Sequence, residues 1–165
     1  MVHPIVQVAA DLVPLIWESR HDTEENRRLA APVVDRLRAD GFARMSLARE
    51  YAGLEVPLVD TLKAYELLAS AEASVAWIVW NCSLVTLVSR YMTAKLRNDV
   101  FNDSGFLFAQ STRPTGRATQ TGHGFMVNGT WSLVSGCELA DWLFLTCQVH
   151  DKSGSLILEN GMPDY

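Results

Sequence analysis

The chain has 165 residues, enough for one domain or for one domain and part of a second. Hydrophobic residues make up 48% and charged residues 20%, a balance typical of folded globular proteins that excludes a disordered chain. The formal net charge of −5, without a basic stripe of interleaved aromatics, argues against nucleic acid and anionic membranes as partners.

Cysteine and histidine spacing predicts neither a disulfide framework nor a metal centre. Cys82, Cys137 and Cys147 are odd in number and lack metal-ligand spacing, so we expect free thiols in a reducing compartment. The four histidines lie far apart, and no metal site is predicted. The N-terminus has no secretory signal pattern, which predicts a cytoplasmic protein. The longest apolar stretch, 75–88, is shorter than the roughly 18 residues that span a bilayer, so we expect a buried helix.

The first hundred residues carry helical signals. Asp22 followed by Glu25 resembles a capping box. Pro32 then divides the apolar pattern, which predicts two short helices, the second ending at Gly41. A connecting loop follows over residues 44–53.

Three further helices are predicted. Pro57 suits the first turn of a helix whose core face holds Leu58, Leu62 and Leu68, with Asp60 on the solvent face. Ser74 can cap a helix over 75–90 that is apolar nearly all round and therefore central to a bundle. Thr93 can cap a short helix through Phe101.

The pattern changes from helical to extended near Ser104 and Gly105. Asn128-Gly129 predicts a tight hairpin turn, because both residues accept positive φ. A polar loop that holds Pro114 and Gly116 is predicted after the apolar run, and Gly122-His123-Gly124 is predicted as a turn between strands. The predicted strands cover 106–109, 125–127, 130–134, 142–149 and 155–158.

Helices followed by strands, without alternation, predict an α+β chain. We expect an N-terminal helical domain over 1–104 and a partial β domain over 105–165. The few strands make less than a usual barrel and leave an open edge, so we expect a fragment, or a chain that another chain completes.

The segment 108–136 combines a loop rich in serine and threonine with a tryptophan. An isoalloxazine ring favours a flat aromatic surface on one face and hydroxyl or backbone N–H groups along its edge. The alternative is that the tryptophan is a core aromatic and the hydroxyls are solvated. The candidate flavin contacts are Ser111, Thr112, Trp131, Leu133 and Ser135.

Five segments occur in an order found in a known family. They are DRLRADGF at 35–42, EYAGL at 50–54, YELLA at 65–69, ASVAW at 73–77 and NGTWSLVSG at 128–136. With them, the stretch from Arg20 to Val149 resembles the acyl-CoA dehydrogenase superfamily. The resemblance implies an N-terminal helical bundle, an incomplete antiparallel β-barrel and a C-terminal four-helix bundle that is missing here. It also implies a homotetramer for the complete protein.

Within this superfamily, the loop 112–116 and the position of Trp131 directly after Gly129-Thr130 resemble the reduced-flavin-dependent monooxygenases. Leu133 stands where that branch usually has phenylalanine. The resemblance implies FAD or FMN, reduced by a separate flavin reductase, and oxygen as co-substrate. The substrate would be a small aromatic or heteroatom-containing compound.

The same resemblance places the catalytic base in the missing bundle, so the catalytic residue is unknown and we expect the chain alone to be inactive. Trp77 and Trp80 are candidate substrate contacts, since the resemblance puts ASVAW beside the substrate cavity; core packing is the alternative. Two rival functions stay open. One is a true acyl-CoA dehydrogenase that oxidises an acyl thioester. The other is a non-enzymatic interaction module that uses an unpaired sheet edge.

Overall fold

The computed structural model describes residues 2–103 and 105–165. The chain forms two compact units. The first holds Met1–Ala109 and Ser135–Trp142, and the second holds Gln110–Val134 and Leu143–Tyr165. Ser104, at the predicted domain boundary, lies outside the described residues, and that boundary stays a prediction.

The first unit is helical. Its α-helices are α1 Ile5–Glu18, α2 Arg20–Asn26, α3 Ala31–Ala39, α4 Leu58–Ala71, α5 Ala73–Val85 and α6 Ala94–Phe101. Short 3₁₀ turns cover Phe42–Arg44, Arg49–Tyr51 and Thr86–Tyr91.

Helix α1 is absent from the predicted elements. Its buried stripe, Ile5, Ala9, Leu12 and Ile16, has helical spacing and packs this helix against α4. The helix has no side-chain cap, and Pro14 lies inside it, so the usual boundary signals are missing.

The predicted boundaries of α2 and α3 are partly wrong. Asp22 lies within the first turn of α2 instead of capping it, because α2 already begins at Arg20. Pro32 stands in the first turn of α3, where its fixed φ is tolerated, and Gly41 follows α3 with a φ of 72°. The two short helices are therefore confirmed, without the capping box.

Helix α5 is less buried than predicted. Its cap is Glu72, whose carboxylate accepts from the Ser74 backbone N–H. With the following 3₁₀ turn, 73–91 forms a helical run long and apolar enough by composition to span a bilayer. However, 56% of that window is buried, as in the core helix of a globular bundle. One face is exposed and carries Trp77 and Trp80.

The strands form two small sheets. The larger has the order β2-β1-β3, with β1 over Phe108–Gln120, β2 over Phe125–Asn128 and β3 over Trp142–His150. The smaller pairs β4, Leu158–Glu159, with β5, Met162–Pro163. Helices first and strands afterwards confirm the α+β class.

The hairpin lies in a different place from the predicted one. β1 pairs antiparallel with β2, from Arg117 opposite Asn128 to Gln120 opposite Phe125, so the turn is at 121–124. The predicted turn at Gly122-His123-Gly124 is therefore confirmed, whereas the predicted polar loop is a strand. Pro114 precedes the part of β1 that pairs with β2, so it removes no N–H from that pairing.

Asn128-Gly129 makes no tight turn, and the predicted strand 130–134 is wrong. Neither residue has positive φ, which a type I′ turn requires at both positions. Gly129 instead passes close to β1: a Cβ there would lie 2.7 Å from the Gly116 Cα. The chain then continues as an irregular segment.

Candidate functional site

The exposed face of α5 presents two indole rings. Trp77 and Trp80 lie three positions apart, with ring centroids 5.0 Å apart and a tilt of 38° between the ring planes. Trp77 is 55% exposed and Trp80 is 37% exposed, although large aromatic side chains are usually well buried. The pair is therefore not buried within the described chain, and its role as a substrate contact stays a prediction. Together the two tilted rings form an exposed apolar surface, called here the indole pair.

Trp77 is oriented by a hydrogen bond within the first unit. Its Nε1–H donates to the Ser135 hydroxyl at 3.0 Å. The next residue, Gly136, has a φ of 77° and approaches Ile78 of α5. The turn that carries Ser135 thus packs directly on α5, and it fixes the direction of one indole.

Arg38 of α3 anchors the segment 135–142. Its Nη1 donates to the Asp141 carboxylate at 2.6 Å and to the Gly105 carbonyl at 2.7 Å, while Nη2 donates to the Leu139 carbonyl at 2.7 Å. The Asp141 carboxylate also accepts from the Leu107 backbone N–H at 2.8 Å. Partial burial raises the pKa of Asp141, but these hydrogen bonds and the Arg38 charge outweigh it, and the net pKa is lowered.

The second unit contains four of the five candidate flavin contacts. Ser111 is buried, and its hydroxyl accepts from the Arg113 backbone N–H at 3.4 Å. Thr112, the next residue of β1, is exposed. Leu133 is 80% exposed and holds a φ of 60°, a backbone conformation that leucine adopts only with strain. Ser135 belongs to the first unit, so whether the five form one groove stays a prediction.

Trp131 has a structural role in its own unit. Its Nε1–H donates to the Thr146 carbonyl at 2.9 Å. Its ring covers Gly116, where a Cβ would lie 2.0 Å from the ring and 2.9 Å from the Cys147 sulfur. The Thr115 hydroxyl donates to the Thr130 carbonyl at 2.9 Å, which fixes the same irregular segment beside β1. One side of this indole is therefore occupied by the sheet.

Comparison with protein families decides the classification. The sequence profile described as "Acyl-CoA dehydrogenase, N-terminal domain" matches residues 7–103. The chain belongs to the acyl-CoA dehydrogenase family.

Similar proteins within this family are oxygenases. The oxygenase subunit HsaA of a flavin-dependent monooxygenase from Rhodococcus jostii (strain RHA1) is 26% identical over 153 residues, covering 92% of this chain and 38% of the relative. The oxygenase component of an FADH2-dependent resorcinol hydroxylase from Rhizobium sp. (strain MTP-10005) is 27% identical over 139 residues, covering 84% of this chain and 34% of the relative.

The fold agrees with a solved structure of the same kind. The crystal structure of 3-HSA hydroxylase from Rhodococcus sp. RHA1 superposes with a TM-score of 0.85 at 26% identity, covering 94% of this chain and 41% of that chain. This acyl-CoA dehydrogenase family chain thus spans between 34% and 41% of the length of these three relatives.

Cys82 is a buried thiol with little thiolate character. Cys82 donates its S–H to the Phe108 carbonyl, and burial raises the pKa of this thiol to about 11. Among residues 2–103 and 105–165, no group of three or more histidine, cysteine or acidic side chains could hold a metal ion.

Sequence reasoning missed the Arg38–Asp141 ion pair. Arg38 lies within the DRLRADGF segment that carries the family resemblance, but its partner is 103 positions away. The one sequence signal at Asp141 is its position immediately before the predicted strand 142–149, where it marks the start of that strand. No spacing rule joins residues so distant in sequence.

Proposed function

We propose that this chain forms part of the oxygenase component of a two-component flavin-dependent monooxygenase. The proposed reaction uses reduced FAD or FMN and oxygen to hydroxylate a small aromatic or heteroatom-containing substrate. The names of the relatives support this proposal, since HsaA and the resorcinol hydroxylase are both oxygenase parts of flavin-dependent systems. Their match extends well beyond the helical domain and into the sheet.

The observation that carries the proposal is the indole pair on α5. Two neighbouring tryptophans are left exposed, and a hydrogen bond to Ser135 orients one of them. Aromatic rings bind one another by offset or edge-to-face contacts, each worth about 0.5–1.5 kcal/mol beyond area burial. A substrate with an aromatic ring matches this surface.

The residues present suit one side of a flavin. Thr112 offers an exposed hydroxyl, and the exposed segment that carries Leu133 offers backbone N–H groups, the types of group that the edge of an isoalloxazine requires. Trp131 would act indirectly, by holding that segment beside β1. When bound, the reduced flavin would supply the electrons that activate oxygen. The chain's own task would be to orient the ring and keep water away.

The proposal includes partners and a location. A separate flavin reductase would supply the reduced cofactor, since the resorcinol hydroxylase relative is named as an oxygenase component. Exposed apolar side chains on α4, namely Leu58, Val59 and Leu62, support a homo-oligomer that covers them. Three free cysteines are compatible with the cytoplasm.

An isotope experiment tests the proposed reaction. The protein that contains this chain is mixed with chemically reduced FAD or FMN, a phenol and ¹⁸O₂, and the product is analysed by mass spectrometry. One ¹⁸O atom per product molecule is expected. Anaerobic bleaching of oxidised flavin by an acyl-CoA, without labelled phenol product, would instead support a dehydrogenase and overturn the proposal.

A further inference from the structure

A cavity in the first unit contains none of the residues proposed for flavin or substrate. It has a volume of about 840 Å³, which is within the range of small-molecule sites. The 3₁₀ turns at Phe42–Arg44 and Arg49–Tyr51 form one side, and α6 forms the other. Its polar lining includes Arg44, Glu50, Tyr51, Arg97, Asn98 and Asn102. We call it the Arg44 cavity.

Arg44 has an unsatisfied donor in this cavity. Its Nε is buried and has no hydrogen-bond partner among the residues that the structure describes. The guanidinium carbon lies 5.9 Å from the centre of the buried Phe106 ring, so one side of the group is apolar. A buried cationic donor without an acceptor is costly, and natural proteins satisfy nearly all such groups. An acceptor from outside the described chain would remove this cost.

Arg97 presents a second guanidinium that is already held in place. Its Nη1 donates to the Ser89 carbonyl at 3.0 Å and to the Met92 carbonyl at 2.8 Å. Its guanidinium carbon lies 4.4 Å from the centre of the Tyr51 ring, in a cation–π contact. Because these contacts already fix the Arg97 side chain, little further side-chain entropy would be lost when it binds a ligand.

Two carboxylates, those of Glu50 and Asp99, also line the cavity, and each has a partner other than the two guanidinium groups. Of the acidic residues, Asp99 pairs with Lys95 at 2.6 Å. Glu50 forms a side-chain hydrogen bond with Tyr51, and this hydrogen bond raises the pKa of that tyrosine. Neither Arg44 nor Arg97 has a carboxylate within ion-pair distance in the described part of the chain.

We infer that the Arg44 cavity binds a small oxyanion, a carboxylate or a phosphate group, through Arg44 and Arg97. The Nε–H and one terminal N–H of an arginine form a planar fork that matches two oxygens of either group. The amides of Asn98 and Asn102 add uncharged donors on the α6 side. The inference is independent of the proposed monooxygenase reaction.

Titration calorimetry of the 165-residue chain with inorganic phosphate and with acetate tests the inference and separates the two sources. Arg44→Gln should weaken binding of the preferred anion about tenfold or more, because a hydrogen bond to a charged group is lost. Arg44→Lys should also weaken it, since lysine keeps the charge but lacks the fork. Arg49→Gln is the matched control, because Arg49 lies outside the cavity and its loss changes the net charge equally.

A second variant, Asn102→Asp, tests the inference even if Arg44→Gln fails to fold. Asn102 is exposed, so Asn102→Asp should fold normally while placing a negative charge at the cavity and weakening anion binding. Equal binding by Arg44→Gln, Asn102→Asp and the unmodified chain would overturn the inference. So would an equal loss in Arg49→Gln, which would mean an adventitious ion only. If the unmodified chain binds neither anion, and Arg44→Gln changes its sedimentation coefficient, the inference is overturned and the cavity is assigned to a protein interface instead.

Discussion

The Trp77 indole N–H donates to the Ser135 hydroxyl at 3.0 Å, across 58 positions of sequence. This bond joins the ASVAW segment to the end of the NGTWSLVSG segment, two of the five segments that carry the family resemblance. It explains why a tryptophan can be left half exposed on α5 and still have a defined orientation. The consequences of this contact can be measured directly.

Ser135→Ala should free the Trp77 ring without unfolding the chain. The lost hydrogen bond is solvent-accessible, so we expect destabilisation of no more than about 1 kcal/mol in urea unfolding. Tryptophan fluorescence should shift, because the indole N–H then bonds to water. Ser132→Ala, at an exposed serine in the second unit, is the control and should change neither signal. Identical spectra for both variants would mean that the bond does not orient Trp77.

The Arg38–Asp141 ion pair predicts a pH dependence of stability. The folded-state pKa of Asp141 is lowered, so its contribution is fully present above the unfolded value of about 4 and is lost as pH falls through the folded value. Asp141→Asn should therefore lower the free energy of unfolding at pH 7, by about 1 kcal/mol for this half-exposed pair. The difference from the unmodified chain should shrink towards pH 2.

Urea unfolding at pH 7, 5 and 3 measures this dependence. Asp99→Asn is the control: it removes an acid from the exposed pair with Lys95, and a smaller effect is expected. If the free energies of unfolding of Asp141→Asn and the unmodified chain differ by the same amount at every pH, the predicted role of the Asp141 carboxylate is contradicted.

Gly116 should not tolerate a side chain. A Cβ at this position would lie 2.0 Å from the Trp131 ring and 2.9 Å from the Cys147 sulfur. Gly116→Ala should therefore displace the indole and cost about 1–3 kcal/mol, as overpacking usually does. Gly122→Ala is the matched control, because nothing lies within 4 Å of its added Cβ. Equal stability of the two variants in urea would rule out the close packing of Trp131 on β1.

The cysteines should differ sharply in reactivity. Burial raises the pKa of Cys82 from 9.0 to about 11, which lowers its thiolate fraction at pH 8 about a hundredfold. Cys137 is exposed. Iodoacetamide at pH 8 should therefore label Cys137 first in peptide mass spectra, and Cys82 only after addition of urea. Early labelling of Cys82 in the folded chain would show that its helix opens readily.

Helix positions were easier to predict than helix faces. Thr93 was predicted to cap a helix and does so, with its hydroxyl accepting from the Leu96 N–H at 3.2 Å. In α4, however, Asp60 is buried and Leu58 is exposed, the reverse of the prediction. The Asp60 carboxylate accepts from the His3 N–H at 3.0 Å and from Lys63 at 3.1 Å, and a tertiary contact of this kind reverses the simple hydrophobic pattern.

The candidate site was predictable in composition but not in geometry. The sequence identified Trp77, Trp80 and Ser135 as candidate site residues, yet it placed Ser135 at the end of a predicted strand. In the structure Ser135 lies in a turn packed on α5. The error came from Asn128-Gly129, which has the composition of a hairpin turn. Gly129 is needed instead for close approach to Gly116, and composition alone does not distinguish these two uses of glycine.

The indole pair should bind aromatic ligands, and Trp80 offers the cleaner test because its indole carries no described tertiary hydrogen bond to lose. Trp80→Ala removes one ring of the pair and leaves the Trp77–Ser135 bond in place. Saturation-transfer NMR with phenol should show binding about three- to tenfold weaker, as expected for one aromatic contact. Trp17→Ala, at a similarly exposed tryptophan on α1, is the control and should bind phenol like the unmodified chain. Equal weakening by both substitutions would mean that phenol binds to any exposed indole. The indole pair would then no longer be supported as a substrate site.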